Sequence, residues 1–250
     1  MSLSWRAVKG TLRQPQSLIP SLFFPLFFVA LNTASMGRSI HLPGFPKVDS
    51  FLDFAVPSAI IQGVLFGATT GGIDMATDIQ DGFFDRLLAS PVSRSSILIG
   101  RLAGAGVLGA IQAIFYIVIL LPFGARVKGG IPAVIAITLV SVLLATAIGG
   151  FAITIALRTG SAEVVQATFP VFFIGLFISS AFFPRTLMHG WFRTVATYNP
   201  LSWLIEAVRS LIITRFDIVE VGKALAVAGA LLALALVMSS LALRSRLAAS

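Results

Sequence analysis

The chain has 250 residues, of which 57% are hydrophobic and 11% charged, and its mean hydropathy is +0.96. These values lie outside the range of a soluble globular domain of this length and indicate an integral membrane protein. The formal charge of +8 comes from dispersed basic residues without a base-stacking aromatic platform, which argues against nucleic-acid binding. The lack of cysteine excludes disulfides and Cys-ligated metal, and His41 and His189 lie far apart, so we expect no metal site.

Residues 1–16 form a basic amphipathic lead-in. Apolar and basic side chains alternate in it: Leu3, Val8 and Leu12 with Arg6, Lys9 and Arg13. This pattern is typical of a helix lying on an anionic leaflet. A basic start before an apolar run also resembles a secretory signal, but no small-x-small cleavage site follows, so we predict a first transmembrane span.

Six apolar stretches predict six transmembrane helices, because about twenty residues at about 1.5 Å each cover roughly 30 Å of hydrocarbon. They are residues 17–36, 51–73, 102–124, 131–157, 164–183 and 223–243. Pro20 and Pro25 predict a kink in the first span, tolerated if neighbouring helices satisfy the freed carbonyls. The fifth span is predicted to be broken by Pro170 and Gly175. With no soluble domain between spans, residues 17–246 are predicted to form one six-helix domain.

The distribution of basic residues bears on the orientation of the chain. Six spans put both termini on one side, and the 18 Lys and Arg residues divide nine against nine between the two sides. Five of those opposite the termini belong to a long, partly embedded segment before the last span, and the positive-inside rule gives weight to short loops. Without these five, the side of the termini has nine basic residues and the opposite side four, which predicts that both termini are cytoplasmic. We expect the protein in the plasma (inner) membrane.

Residues 77–101 are too polar to cross a bilayer and too apolar for an idle linker. Six charged residues alternate with four apolar ones: Asp78, Asp81, Asp85, Arg86, Arg94 and Arg101 with Phe83, Phe84, Leu87 and Leu88. A helix over residues 80–89 would place the apolar four on one side, and Ser90-Pro91 would end it. Two interpretations are open at this point: a surface helix that connects two spans, and a docking surface for a partner protein.

Four polar residues lie inside predicted spans: Asn32, Gln62, Gln112 and Tyr116. One interpretation is a substrate path. The other is hydrogen bonding between helices, worth about 1 kcal/mol or less for each bond.

The segment before the last span is rich in Trp and Arg, as is typical of a membrane interface. Following Asn199-Pro200, residues 201–213 predict a short helix half embedded in the outer leaflet. Glu206 and Arg209 have the spacing of a local i,i+3 ion pair, and the alternative is that they gate an outer exit.

Two stretches resemble the permease subunits of ABC-2 type exporters, which include daunorubicin-exporter and nodulation-factor-exporter permeases. The first follows the family's series of acidic-x-Gly-x-x-acidic-x-Leu, Ser/Thr-Pro, Arg and Gly-Arg/Lys: Asp81, Gly82, Asp85, Leu87, Ser90-Pro91, Arg94 and Gly100-Arg101. The second is Phe183-Pro184, Trp191, Asn199-Pro200-Leu201-Ser202 and Arg209. With the six-span layout, the likeness covers nearly the whole chain. Asp81 and Asp85 depart from the Glu that is common at these positions.

The resemblance implies an all-α membrane protein with the type V (ABC-2) exporter fold, an N-terminal amphipathic helix and a cytoplasmic coupling helix that contacts an ATPase. The implied coupling residues are Asp81, Gly82, Phe83, Phe84, Asp85, Arg86, Leu87, Leu88, Pro91 and Arg94. The four apolar side chains, Phe83, Phe84, Leu87 and Leu88, would fill a groove on the ATPase. The charged side chains would form the rim of that contact. We predict that Asp85→Lys or Phe84→Asp uncouples transport from ATP hydrolysis and leaves membrane insertion intact.

The same resemblance implies partners. Two separate ABC ATPase subunits would carry ATP and Mg, and a second permease, a copy or a paralogue, would complete the unit. The sequence itself has no G-x-x-x-x-G-K-[ST] loop to cradle nucleotide.

The function favoured here is export of a hydrophobic or amphipathic solute, a drug or lipid-like molecule, as in multidrug efflux and antibiotic resistance. An intramembrane enzyme would need catalytic polar groups at one depth, and the spans provide no such set. A passive channel would need no ATPase. We expect no catalytic residue on this chain.

Overall fold

The computed structural model describes residues 15–89 and 94–249, which form eleven α-helices with short 3-10 turns and no strand. The helices are α1 (Pro15–Met36), α2 (Phe51–Ala68), α3 (Thr70–Gln80), α4 (Phe83–Leu88), α5 (Arg94–Leu120), α6 (Gly130–Thr159), α7 (Ala162–Ala167), α8 (Phe169–Phe177), α9 (Gly190–Tyr198), α10 (Pro200–Ile213) and α11 (Ile218–Ala249). The predicted amphipathic lead-in lies almost wholly outside the described residues, as do Ser90 and Pro91 of the predicted coupling segment.

Five helical stretches in the described part of the chain are long and apolar enough to cross a membrane. They are Ile19–His41, Phe51–Gln80, Ser96–Phe123, Gly130–Thr159 and Ile218–Ala248. They correspond to the first four predicted spans and the last one. Two of them, Gly130–Thr159 and Ile218–Ala248, extend past the predicted bounds at both ends.

The fifth predicted span differs from the others. It consists of α7 and α8, which together are shorter than a full crossing, followed by a turn over residues 178–182. The break comes at Thr168, just before Pro170, which has no N–H to continue the helix of α7. The break predicted at Pro170 is therefore confirmed. The break predicted at Gly175 is wrong, because this residue lies inside α8.

Helix α2 lies at the centre of the bundle, between α1, α5, α6 and α10. Of the apolar window in Phe51–Gln80, 89% is buried, against 17% in the first span and 22% in the last. Helices α1 and α11 therefore present most of their surface to lipid or to a neighbouring subunit.

Glycine sets the distance between α2 and α5. Gly63 and Gly67 lie one turn apart on α2 and face the side chains of Tyr116 and Gln112. A Cβ at Gly67 would lie 2.5 Å from Nε2 of Gln112, and one at Gly63 would overlap the Tyr116 ring. Small residues allow such close approach between helices in a membrane. Six further glycines make similar close contacts: Gly72, Gly106, Gly109, Gly129, Gly149 and Gly150.

The proline in the middle of α1 is compensated from α5. Pro25 lacks the N–H that would bond the carbonyl of Ser21, four residues earlier. The hydroxyl of Tyr116 donates to that carbonyl instead. The helix continues from Pro15 to Met36, so the predicted mechanism, a neighbouring helix that satisfies the freed carbonyl, is confirmed at this position.

The apolar interior is divided into two clusters. The larger one joins α1, α2, α5, α6, α8, α10 and the first turns of α11. The smaller one, the end cluster, joins α3, α4 and α7 to the first turns of α5 and to the last turns of α6 and α11. Because α3 continues α2 after a one-residue break at Thr69, the end cluster lies at one end of the bundle.

Candidate functional site

The corner between α3 and α4 is formed by a left-handed glycine. Asp81 closes α3 by donating its N–H to the carbonyl of Thr77 over 2.9 Å. Gly82 then has φ of 66°, a conformation that costs glycine little and other residues more. Nothing lies within 4 Å of the Cβ that a substitution there would add. The glycine is therefore required by the backbone turn, and α4 begins directly after it.

Phe84 anchors α4 to the rest of the chain. Its side chain is 1% exposed and lies in the end cluster with Met75, Ile97 and Leu157. Leu87 and Leu88 are half-buried against the same cluster. Burying a Phe side chain stabilises its position by about 1.5–3 kcal/mol, which holds this short helix in a fixed place.

This burial revises one prediction. The sequence pattern placed the apolar side of α4 in a groove on another protein, but the structure turns that side toward the chain's own interior. Phe84→Asp would put a carboxylate into an apolar cluster, so it would damage the fold as well as any contact. The predicted helix over 80–89 is also shorter in the structure, Phe83–Leu88.

The outward side of the corner is polar. Gln80, Asp81, Asp85 and Arg86 are exposed, while Phe83 is half-buried. The Arg86 guanidinium lies 5.8 Å from the centre of the Phe83 ring. The surface that a partner would meet here is thus a set of carboxylates and one cation on a rigidly held turn.

Arg101 joins α5 to α3. It forms ion pairs with Asp78 and, at 3.6 Å, with Asp74. These three side chains are each between 22% and 30% exposed, so the ion pairs are partly screened by solvent. The sequence placed Asp78 and Arg101 in the coupling segment without pairing them. The side chain of Arg94, at the start of α5, lies outside the described side chains.

Several long helices end around the same corner. The Nη1 of Arg246, near the end of α11, donates to the carbonyl of Leu157 at the end of α6 over 3.0 Å. Gly160 closes α6 with φ of 64°, and a Cβ there would lie 3.4 Å from Ile79 of α3. A displacement of α4 would therefore reach α6 and α11 through α3 and the end cluster.

The four in-span polar residues lie in two groups, Asn32 with Gln62 and Gln112 with Tyr116. Asn32 donates to the Phe28 carbonyl within its own helix, over 2.7 Å. It shares the lining of a cavity of about 10 Å³ with Gln62, which is too small for more than one water. Gln112 and Tyr116 instead pack on the glycines of α2. Among the described residues, the amide nitrogens of Gln62 and Gln112 have no hydrogen-bond partner.

The turn over residues 178–182 is bonded to α10. The Ser202 hydroxyl accepts from the backbone N–H of Ser180 over 3.0 Å. Asn199 caps α10 by accepting from Leu201 N–H over 2.9 Å, and it donates to the Gly175 carbonyl over 2.7 Å. Pro200 occupies the first turn of α10, where a missing N–H costs nothing. These bonds satisfy backbone groups that the broken fifth segment leaves without helical partners.

Arg209 is the central donor of this arrangement. It is 5% exposed, and its Nε donates to the Phe54 carbonyl over 3.2 Å while Nη2 donates to the Ser180 carbonyl over 2.9 Å and to that of Ala181 over 3.4 Å. The Phe54 ring covers the guanidinium at 3.8 Å. Arg209 therefore ties the turn and α10 to the central helix α2.

The predicted ion pair between Glu206 and Arg209 is wrong. Glu206 pairs with Arg185 instead. Arg209 is turned toward the carbonyls of residues 180 and 181, which have no helical N–H to bond them. Nothing in the sequence indicates a contact between residues this far apart, because the signal that was available, the i,i+3 spacing, is only local.

A family model described as ABC-2 type transporter matches residues 1–213. The chain is 27% identical over 231 residues to the daunorubicin resistance ABC transporter permease protein DrrB1 of Streptomyces coeruleorubidus, covering 92% of this chain and 80% of that protein. It is 26% identical over 202 residues to the putative transport permease ycf38 of Cyanophora paradoxa, covering 80% and 69%.

A third relative also carries a resistance name. The chain is 27% identical over 193 residues to the probable doxorubicin resistance ABC transporter permease protein DrrC of Mycobacterium tuberculosis, covering 77% of this chain and 69% of that protein. The family match spans most of the sequence, and both stretches that carry the resemblance lie within it. The chain belongs to the ABC-2 type transporter family.

Proposed function

We propose that this chain is the transmembrane permease subunit of an ATP-driven exporter in the plasma membrane, with both termini and α4 on the cytoplasmic side. Family membership supports the permease role. The names of two relatives, resistance permeases for daunorubicin and doxorubicin, support a hydrophobic or amphipathic cargo. The excess of Lys and Arg on the terminal side, once the partly embedded segment is set aside, supports the orientation.

The observation that carries the proposal is the corner formed by α3 and α4. A docking element has to offer a surface to its partner and be held firmly enough to pass on a force. Asp81, Asp85 and Arg86 offer that surface, and Phe84 holds it in the end cluster. Charged groups at such a contact favour the correct partner and register.

The coupling follows from these contacts. Two ABC ATPase subunits bind ATP and Mg and close on each other, and their movement displaces α4. Since the end cluster also contains the last turns of α6 and α11, the displacement reaches the spans. The spans then open the passage to one side of the membrane and to the other in turn. The proposed coupling segment also includes Phe83, Leu87, Leu88, Pro91 and Arg94. A second permease, a copy or a paralogue, provides the other half of the passage.

The proposed topology has six crossings. The fifth is made of α7, α8 and the turn that follows them, and α9 and α10 form a re-entrant segment on the outer side. Irregular backbone at membrane depth is tolerated where protein buries and bonds it. Ser202 and Arg209 supply these bonds. Residues 1–16 would lie on the cytoplasmic leaflet, as in the type V exporter fold.

The proposed cargo path is lined by polar groups inside the spans. Gln62 and Gln112 are the better candidates, because each is buried with an amide nitrogen that lacks a partner among the described residues. Asn32 and Tyr116 adjoin them and also hold their own helices together. Such groups would orient a polar part of an otherwise apolar solute.

The test is reconstitution with and without an ATPase. The chain is purified from its native host, copurifying ATPase activity is measured, and the preparation is placed in vesicles with a fluorescent anthracycline as the probe. We expect transport that needs ATP and the copurified subunit. Transport of equal rate without ATP would indicate a passive channel and contradict the proposal.

A further inference from the structure

A cavity of about 460 Å³ opens at the end of the bundle opposite α4. Its wall comes from the loop before α2, the segment before α9 and one side of α10. Pro46, Pro184 and Ile213 make part of this wall apolar. The volume lies in the range of small-molecule sites, about 300–1,000 Å³.

The ionisable groups on the cavity wall leave a positive charge. They are Lys47, Arg185, Glu206 and Arg209. Arg185 and Glu206 form an ion pair, so their charges offset each other. Lys47 is exposed, Arg209 is almost fully buried, and within residues 15–89 and 94–249 neither forms an ion pair. Two cations therefore face the cavity without a carboxylate of their own.

The guanidinium of Arg209 is held in one position and still has N–H donors that form no hydrogen bond with the described residues. Its hydrogen bonds to described residues use Nε and Nη2, and none uses Nη1. The Phe54 ring at 3.8 Å and the carbonyls of the turn hold the guanidinium in one orientation. A cation that is already ordered loses little conformational freedom on binding, and a hydrogen bond from it to an anion is stronger than one between neutral groups.

We propose that this cavity binds the phosphate group of an anionic amphiphile, which Lys47 and the Nη1 of Arg209 contact while Pro184 and Ile213 face the apolar part. A net positive, partly apolar site fits a phosphate joined to hydrocarbon and disfavours a cation. The proposal goes beyond export itself and relies on the proposed function only for which membrane face the cavity occupies. Binding at the cavity requires no ATPase, so either idea can fail without the other.

The experiment measures lipid binding to the purified full chain. The chain in neutral detergent is titrated with phosphatidylglycerol, and separately with phosphatidylcholine, and bound lipid is counted by native mass spectrometry. We expect phosphatidylglycerol to bind about tenfold more tightly, because only its head group carries a net negative charge. A second titration adds millimolar inorganic phosphate against chloride at equal ionic strength. If inorganic phosphate displaces the lipid, the phosphate group alone is enough for binding. If it does not, the hydrocarbon part is needed as well.

Three variants locate the binding. Lys47→Gln should weaken phosphatidylglycerol binding about tenfold, and Glu206→Gln should strengthen it, since it removes the one carboxylate on the wall. Lys128→Gln is the matched control: Lys128 lies at the same end but outside the cavity, and its Nζ pairs with Asp49 over 2.8 Å. The strengthening predicted for Glu206→Gln cannot result from misfolding.

Two results would overturn the inference. One is equal binding of phosphatidylglycerol and phosphatidylcholine. The other is an equal loss in Lys47→Gln and Lys128→Gln with no gain in Glu206→Gln, which would indicate general attraction to a basic surface.

Discussion

Replacing Phe84 by alanine should free α4 without unfolding the bundle. Phe84 is 1% exposed in the end cluster, and truncating a buried Phe to Ala costs about 3–5 kcal/mol. A helix as short as Phe83–Leu88 is not stable alone, so we expect the loss to appear as local opening. At about 1.4 kcal/mol for each tenfold change, a loss of about 3 kcal/mol raises the open population roughly a hundredfold.

Hydrogen exchange of the purified chain measures this opening directly. Amides of residues 83–88 should exchange about a hundredfold faster in Phe84→Ala, while those of α2 keep their rates. Phe123→Ala is the control, because Phe123 is 70% exposed near the opposite end and should leave both regions unchanged. Unchanged exchange in α4 would refute the anchoring role, as would an equal acceleration throughout the chain.

Three further predictions concern the packing of the spans. Gly63→Ala should lower thermal stability by about 1–3 kcal/mol, because its Cβ would overlap the Tyr116 ring. Gly229→Ala is the control and should be neutral or slightly stabilising, because nothing lies within 4 Å of the added Cβ. Equal melting temperatures in the two variants would contradict the close packing. Tyr116→Phe should cost about 0.6 kcal/mol, a typical value for a hydrogen bond between membrane helices, and no loss would mean that the Ser21 carbonyl needs no donor. Asn199→Ala should lower the melting temperature by removing the cap of α10, worth about 1 kcal/mol. Asn199→Asp should recover only part of the loss, because its carboxylate retains the acceptor but cannot donate to the Gly175 carbonyl.

The helices were predictable because their signals are local. An apolar stretch of about twenty residues specifies a span wherever it lies, and the five long spans in the described part of the chain were located in this way. The proline in the middle of α1 signals that a donor is needed, and only the fold shows that Tyr116 provides it. The break in the fifth segment follows from Pro170 for the same local reason.

The direction of the apolar side of α4 was not predictable. Phe83, Phe84, Leu87 and Leu88 have the spacing of one helix face, and that spacing is the same whether the face meets another protein or the chain's own core. The structure shows the second outcome for Phe84. The charged residues at the corner are exposed as the pattern indicates, so the candidate contact surface moves to Asp81, Asp85 and Arg86.

Contacts between residues far apart in the sequence were also not predictable. Arg209 bonds carbonyls of residues 180 and 181, and Glu206 pairs with Arg185. From the sequence, the nearest opposite charge was the natural partner. Backbone carbonyls without helical donors compete for an arginine, and their position depends on how the broken segment folds back on α10.

The central claim, that an ATPase acts on this chain through α4, is tested most directly by reversing one exposed charge. Asp85→Lys changes the corner without touching the buried cluster, and Arg215→Glu makes a charge reversal at the exposed opposite end. Copurified ATPase activity and ATP-driven anthracycline transport are measured for both variants at equal membrane insertion. We predict that Asp85→Lys loses both activities by at least about tenfold and that Arg215→Glu retains them. ATP-driven transport at the full rate in Asp85→Lys would contradict the claim.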